Sequence, residues 1–389
     1  MRILINAISA KKKTGGAFQI SLNFIKETIN HSDVEWFYLI SKDLEEDIKR
    51  LSLRAETLYV LPTQPSRSLE YFKVAHQVRN IERQIKPGLV YTLCSPSYMR
   101  FEGIEVMRFN NAWITNPNPY AWQCLPIKNR VKMHLYRAIQ KFYLRKCNYF
   151  ITQTEVVGEG IIRITGVPKT NVRVISNVLP KVYSSYDRNT PRENKDEINI
   201  MCVATDIRHK NLDIIPDVIT RLVNEYGITS IRFHLTLPND SALFIRISEA
   251  LKEKQLSNYL INHGHCSQDQ LATLYLHSDY CFIPSLLETM SASIIEALYF
   301  KLPMVLPDLP FNTTVLGDAG VYYTPKDSVS AADGFARLIL DPSLNKVLLD
   351  KMERILPRFR DYTHHFNETV TFFKDILTQN LLSVNNESD

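Results

Sequence analysis

Short apolar runs alternate with longer amphipathic stretches along almost the whole chain, and that alternation restricts its fold more than any other feature. In the first part the runs RILINAI, WFYLIS and GLVYTLC are separated by stretches such as 18–29, where apolar residues recur at helical spacing. This is the rhythm of a parallel sheet covered by helices, because only strands buried on both faces read as nearly continuous apolar runs. The stretch 183–197 (YSSYDRNTPRENKDE) breaks the rhythm; it is polar, lacks apolar periodicity and reads as a linker. Beyond it, INIMCVAT, IRFHLTL, YLINHGH, DYCFIP, LPMVLP and GVYYT read as strands, and 212–226, 241–254, 268–277 and 291–300 as helices. Two α/β units of similar size, without an internal repeat, therefore follow one another. Open α/β sheets bind ligands outside the C-terminal ends of their strands, so a cleft is expected where those ends of the two units face each other.

The length of 389 residues and the 45% hydrophobic content support two domains with real cores, and only 12 glycines exclude a collagen-like or linker-dominated chain. The net charge of +5 hides an asymmetry. Residues 1–190 carry 28 basic and 15 acidic side chains, net +13, and the remainder 18 and 26, net −8. The first half is thus suited to an anionic partner: a phosphorylated substrate, a membrane surface or a nucleic acid. Cys94, Cys124, Cys147, Cys202, Cys266 and Cys281 show neither a CxxC pair nor zinc-ligand spacing, so no disulfide framework and no structural metal is expected, and a reducing compartment fits. MRILINAISAKKK places its charges after too short an apolar run for a signal peptide, and no 18-residue apolar stretch occurs. A cytoplasmic protein is expected, peripheral on the inner face of the cytoplasmic membrane if it meets a bilayer at all.

The chemistry concentrates between Asp279 and Pro325. A strand ends at Pro284 and Ser285, Glu288 follows in the loop, Thr289, Met290 and Ser291 lead into a helix, and Glu296 lies within it. Free N–H groups at a helix start suit a phosphate, and carboxylates accept hydrogen bonds from sugar hydroxyls. Two glutamates at this spacing arise about once by chance in a chain this size, so context decides. The context resembles the retaining glycosyltransferases of the GT-B fold, called family 4 or group 1, with their Glu-x7-Glu motif. Ile283, Pro284, Ser285 and Glu288, then Glu296, Ala297 and Leu298, then Pro303, Met304 and Val305, then Gly317, Asp318, Ala319 and Gly320 fall in that family's order and spacing. Gly264, Ser267, Leu271, Leu274, Tyr275, Ser278 and Asp279 resemble the preceding loop and helix, and 152–177, ending Val174, Ile175, Ser176 and Asn177, resembles the interdomain signature.

The resemblance implies two Rossmann-like α/β domains facing a central cleft: an acceptor-side domain over 1–185, a nucleotide-sugar-binding domain over 186–365, and a C-terminal helix over 366–389 packing back on the first domain and ending in a frayed tail. It implies retaining transfer of a sugar from a nucleotide-diphosphate donor to a hydroxyl of a saccharide acceptor, in bacterial surface polysaccharide assembly, with no cofactor. Glu288 would contact the donor sugar and Glu296 the ribose, with the base near Gly264 and His265. Lys210 and Asn211 match a Lys-Asn pair of the family, and Lys210 would stabilise the departing diphosphate. Where the family adds an arginine at the strand end this sequence has Ala204, Thr205 and Asp206, so Arg208 is assigned the missing charge. Gly15 and Gly16 follow the first strand and a basic loop, Lys11 to Lys13; lacking Cβ, they would let a diphosphate or an acceptor approach the turn. Between Glu288 and the helix the family has a glycine-rich run where Thr289, Met290 and Ser291 stand here, which points to an unusual donor preference.

Asn110 and Asn111 occupy a strand-end loop that borders the acceptor in the family and often carries a histidine there. Hydrogen bonding to sugar and capping of a turn are both open to them. Residues 128–146, from Lys128 to Lys146, hold seven Lys and Arg, one His and no acid, interleaved with Val131, Leu135, Ile139 and Phe142. That pattern suits an anionic membrane or a lipid-linked diphosphate acceptor, and equally an ordinary helix with a solvated polar face. With no recognised nucleic-acid motif beside the charge, nucleic acid is not expected. The absence of DxD, of GxxxxGK[ST] and of GxGxxG argues against a metal-dependent GT-A enzyme and against ATP or NAD chemistry. The rivals are a nucleotide-sugar epimerase, a sugar-phosphate-utilising synthase and a catalytically silent GT-B subunit.

Overall fold

The computed structural model describes residues 1–12, 16–51, 53–62, 71–190 and 196–386. The chain divides into two compact units: Met1–Thr115, Lys132–Ser176 and Asp361–Asp389 form the first, and Asn116–Val131 with Asn177–Arg360 the second.

The first unit is built on a parallel sheet of seven strands: β1 (Arg2–Ala7), β2 (Glu35–Ser41), β3 (Leu58–Leu61), β4 (Leu89–Thr92), β5 (Ile104–Phe109), β6 (Tyr149–Thr152) and β7 (Val172–Val174), in the order β3-β2-β1-β4-β5-β6-β7. Ile3 pairs with Trp36 on one side and Leu89 on the other, which places β1 inside the sheet. Its side chains alternate between two buried layers. Ile3 and Ile5 pack with Phe24, Tyr91 and Phe373 on one face, and Leu4 with Val74, Val78 and Val90 on the other. The terminal helix, Tyr362–Asn386, completes the first layer with Phe366, Val370, Phe373 and Ile376. Phe366 lies 4.9 Å from Phe24 and Phe373 4.9 Å from Tyr91, ring to ring. Burying a phenylalanine this fully contributes roughly 1.5–3 kcal/mol, so a helix at the far end of the sequence supports the first sheet.

The second unit has six parallel strands: β8 (Ile198–Cys202), β9 (Ile231–Leu235), β10 (Leu260–Asn262), β11 (Tyr280–Phe282), β12 (Met304–Pro307) and β13 (Val321–Tyr323), ordered β10-β9-β8-β11-β12-β13. Phe282 and Val305 face a layer containing Ile219, Leu222 and Phe335, while Cys281 and Met304 face one containing Tyr275, Ala297 and Met352. The direction in which strands are added reverses between β8 and β11. At such a reversal the following loops part to opposite sides and leave a crevice at the strand ends.

The chain enters the second unit nine residues earlier than the boundary expected at 185/186, and leaves it at Arg360 rather than at 365. The stretch read as a linker is not one over 183–190. Tyr183 is fully buried with its ring 5.4 Å from Phe300, Arg188 pairs with Glu353 at 2.6 Å, and the Tyr186 hydroxyl donates to Asp269 at 3.0 Å. Tyrosine hydroxyls and an arginine make a polar sequence that anchors through hydrogen bonds, which apolar periodicity does not register. Residues 191–195 of that stretch lie outside the described residues. None of the six cysteines forms a disulfide. Among the described residues no helix is long and apolar enough to cross a membrane.

Candidate functional site

The reversal point of the second sheet brings together most of the charged residues singled out from the sequence. After β8 the chain makes one 3-10 turn, Arg208–Lys210, and Asn211 follows with φ +57° and ψ 33°. Asparagine tolerates this left-handed conformation better than most residues because its short polar side chain bonds locally. After β11 the loop reaches Glu288, and the Leu286 N–H donates to the His209 carbonyl at 2.8 Å, stitching the two loops. Lys210 then meets Glu288 directly, Nζ to Oε1, with side chains 20% and 15% exposed. Burial pushes the His209 imidazole below its usual pKa; the neighbouring Lys210 adds to this and Glu288 opposes it. Arg208 is exposed on the same turn.

The Glu288 loop is held from a distant part of the sequence. The side-chain amide of Asn118 donates to the Leu286 carbonyl at 2.7 Å, and that of Asn116 to the Glu288 carbonyl at 3.2 Å. Asn118 also accepts from the Ala121 N–H as N-cap of the short helix Pro119–Gln123, while Tyr120 and Cys124 pack on Leu286, Leu309 and Phe311. Segment 116–131 therefore belongs to the second unit by packing as well as by hydrogen bonds.

The helix Ala292–Tyr299 starts directly beyond. Thr289, Met290 and Ser291 are 9%, 5% and 6% exposed, with Met290 in the apolar core, so the residues replacing a glycine-rich run direct their bulk inward. Ser291 occupies the N-cap in extended conformation without a side-chain cap bond, so the first turn presents N–H groups and the positive end of the helix dipole. Glu296, in the second turn, is 7% exposed and accepts from the Tyr275 hydroxyl at 2.7 Å and the Tyr183 hydroxyl at 3.3 Å. Burial raises its pKa against the pull of those two bonds, and burial together with its charge raises both tyrosines.

Gly264 and His265 lie past β10, at the edge of the same strand-end surface. Gly264 is buried at φ +71°, a conformation that favours glycine, and His265 is exposed. In the first unit Gly16 opens the helix Gly16–Thr28 after β1, with nothing within 4 Å of where a Cβ would stand; Gly15 and Lys13 lie outside the described residues. Asn110 and Asn111 follow β5. The Asn111 side chain accepts from the Trp113 N–H at 3.2 Å and donates to the Tyr136 hydroxyl at 3.0 Å, so it caps the turn into the helix Ala112–Thr115.

Sequence reasoning missed four groups here. Asn116 and Asn118 stand in an Asn-Pro-Asn-Pro run that signals a turn but not its partner, and Tyr183 and Tyr275 carry no signal for the glutamate they hold. Among the described residues no group of three or more His, Cys, Asp or Glu could hold a metal ion.

The fold is of the GT-B class, as its structural neighbours show. A glycosyltransferase from Rickettsia africae ESF-5 superposes with TM-score 0.71 at 13% identity, over 97% of this chain and 98% of that one. Sucrose-phosphate synthase from Thermosynechococcus elongatus gives 0.71 at 14%, over 97% and 100%. Anabaena HepE, in complex with UDP and glucose, gives 0.68 at 14%, over 96% and 100%. A search of curated protein sequences finds no match. Residues 185–354 match the family model described as glycosyl transferases group 1.

Proposed function

We propose that the protein is a retaining glycosyltransferase that moves a sugar from a nucleotide-diphosphate donor to a hydroxyl of a saccharide acceptor, lipid-linked, in the assembly of a bacterial surface polysaccharide. The observation that carries this reading is the Lys210–Glu288 pair at the strand reversal, beside the uncapped start of the helix Ala292–Tyr299. Departure of the nucleotide builds negative charge on the β-phosphate. Lys210, Arg208 and the first-turn N–H groups form a fixed positive environment for it, worth most where water is excluded. The Gly15–Gly16 turn is assigned to the donor as well. In the unliganded protein Glu288 neutralises Lys210. When a diphosphate takes the ammonium, Glu288 is released to accept from donor-sugar hydroxyls. Glu296 is assigned the ribose: each of its oxygens accepts one tyrosine bond and retains a lone pair for another donor. Thr289, Met290 and Ser291 would shape the donor pocket, Gly264 and His265 would border the base, and Asn110 would border the acceptor with Asn111 shaping its turn.

Retention follows the resemblance to the Glu-x7-Glu enzymes, with attack from the face the phosphate leaves and the phosphate oxygen taking the acceptor proton. This chemistry asks for no metal or cofactor. Support for a nucleotide-sugar donor comes from HepE with UDP and glucose. Support for a surface-glycan acceptor comes from a lipopolysaccharide outer core galactosyltransferase, WaaB, at TM-score 0.64 and 14% identity. The test is a thermal-shift screen of nucleotide sugars, since a donor that binds only the folded state raises apparent stability. Turnover of the stabilising donor with glycan acceptors follows. A transferred sugar with retained anomeric configuration supports the reading. Epimerised donor without transfer would make the protein an epimerase, and donor binding without turnover a silent subunit.

A further inference from the structure

The helix Ile127–Leu144 carries an apolar ridge that the fold leaves uncovered. Ile127, Val131, Leu135, Ile139 and Phe142 are 78%, 68%, 65%, 44% and 55% exposed. At 3.6 residues per turn these five fall within an arc of about 120°, and the helix's buried residues, Gln140 and Leu144, point the opposite way. The stripe is therefore a second apolar face, separate from the one that attaches the helix to the protein. Five large aliphatic and aromatic side chains aligned over about 22 Å are more than the scattered exposed hydrophobes of an ordinary surface.

Charge brackets this ridge on both sides. On the helical projection Lys132 borders one edge and His134 and Lys141 the other, while Lys128, in the first turn, projects between Leu135 and Ile139. Lys146 stands 4.0 Å from the centre of the Phe142 ring. No acidic residue occurs anywhere in 128–146. Partial burial lowers the pKa of Lys141, and the charges of Arg137, Arg145 and Arg163 lower it further, so cations are crowded here. A second exposed ring, Phe72 at 81%, stacks edge-on with Tyr71, which hydrogen-bonds Tyr143 of this helix.

We infer that this helix lies in the interface of an anionic lipid bilayer, with the Ile127–Phe142 ridge at the depth of the upper acyl chains and its flanking lysines and arginines among the lipid phosphates. Charge complementarity selects the occupant. A bilayer satisfies an apolar stripe and rows of cations on either side of it at once, because its acyl region and phosphate layer are stacked in that order. A second copy of the chain would bring the same cations against each other. The inference stands apart from the transferase chemistry, and it specifies where a lipid-linked acceptor would be met.

The test is co-sedimentation of the full chain with vesicles of phosphatidylcholine and phosphatidylglycerol in equal parts, and with phosphatidylcholine alone. The expected result is binding to the anionic vesicles, weakened by salt, and lowered on the order of tenfold by Leu135→Asp with Phe142→Asp, since both side chains sit in water in the free protein and a charge there opposes insertion. Lys128→Glu with Lys132→Glu is expected to shift binding to lower salt. Circular dichroism and donor thermal shift check that the variants fold. Wild-type protein left in the supernatant with anionic vesicles would overturn the inference, as would binding unaffected by Leu135→Asp with Phe142→Asp. Self-association in sedimentation velocity that those substitutions abolish, without vesicle binding, would assign the ridge to a second copy instead. Vesicle binding reads this surface and soluble-donor turnover reads the Glu288 site, so failure of either leaves the other standing.

Discussion

The Asn118 side chain donates to the Leu286 carbonyl at 2.7 Å, joining residues 168 apart in sequence. With Asn116 on the Glu288 carbonyl, it fixes the backbone that aims the Glu288 carboxylate at Lys210. The same asparagine caps the helix Pro119–Gln123, so one side chain serves two elements through different atoms.

Those two roles separate by substitution. Asn118→Asp keeps the oxygen that caps the Ala121 N–H but loses the N–H2 that reaches Leu286. It should lower stability by about 1–3 kcal/mol, from an unsatisfied part-buried carbonyl, and reduce donor turnover on the order of tenfold. Asn118→Ser, which also retains a cap, should behave alike. Denaturant unfolding and steady-state kinetics measure the two effects, and unchanged kinetics in a folded variant would remove Asn118 from the positioning of Glu288.

Lys210 and Glu288 should respond differently to single removal. Lys210→Ala leaves a largely buried carboxylate unpaired, with a loss of about 3–5 kcal/mol, and should weaken nucleoside-diphosphate affinity at least tenfold by calorimetry. Glu288→Gln keeps the shape and a hydrogen-bonding oxygen. It should preserve diphosphate affinity, since Lys210 is released from its partner, while sharply lowering sugar transfer. Equal losses of diphosphate binding in both variants would contradict the proposed division of roles.

Glu296 depends on its two tyrosines. Tyr275→Phe removes the 2.7 Å bond from a carboxylate that is 7% exposed and should cost about 1–3 kcal/mol at neutral pH. Because that bond holds the Glu296 pKa down, its loss should raise it further, and the penalty should shrink as the solution is acidified and the carboxyl takes up a proton. Urea unfolding at several pH values reads this directly, and a penalty independent of pH would mean the tyrosine acts through packing alone.

Two ionisable groups of the first unit should give opposite pH dependences. Burial pushes the Glu105 carboxyl up to about 7, against bonds from Thr92 and Ser97, so between pH 4.5 and about 7 the folded chain holds a proton that the unfolded chain has lost. Stability from this group falls as pH rises across that window. Burial, with Arg108 and His364, pulls His365 down to about 3, so between about 3 and 6.5 the unfolded chain holds the extra proton and stability rises with pH. The two trends offset each other between pH 4.5 and 6.5. Glu105→Gln should expose a rising profile there, and His365→Asn a falling one; chemical denaturation from pH 4.5 to 7 checks both, and parallel profiles would refute the assignment.

The parallel-sheet rhythm was legible because strands buried on two faces must be apolar throughout, and the helices 242–253 and 268–276 emerged within two residues of the periodic stretches that marked them. Glu288, Lys210 and Arg208 were legible as strand-end residues of one topology, and the structure puts all three at the reversal between β8 and β11. The stretch 183–190, which reads as a linker, is anchored by partners that local sequence does not name, and of the two roles open to Asn111 the structure shows the turn cap.

The sequence by itself determined the two α/β halves, the charged strand-end loops and the amphipathic basic helix, because each follows from periodicity and residue chemistry over a few turns of chain. Only the tertiary structure decided that segment 116–131 clasps the Glu288 loop and that Tyr183 and Tyr275 hold Glu296. It also decided which of the two apolar faces of the helix Ile127–Leu144 stays in water. Those outcomes rest on hydrogen bonds and packing between residues far apart in the chain, where the gain from each contact exists only once the fold has brought both partners together.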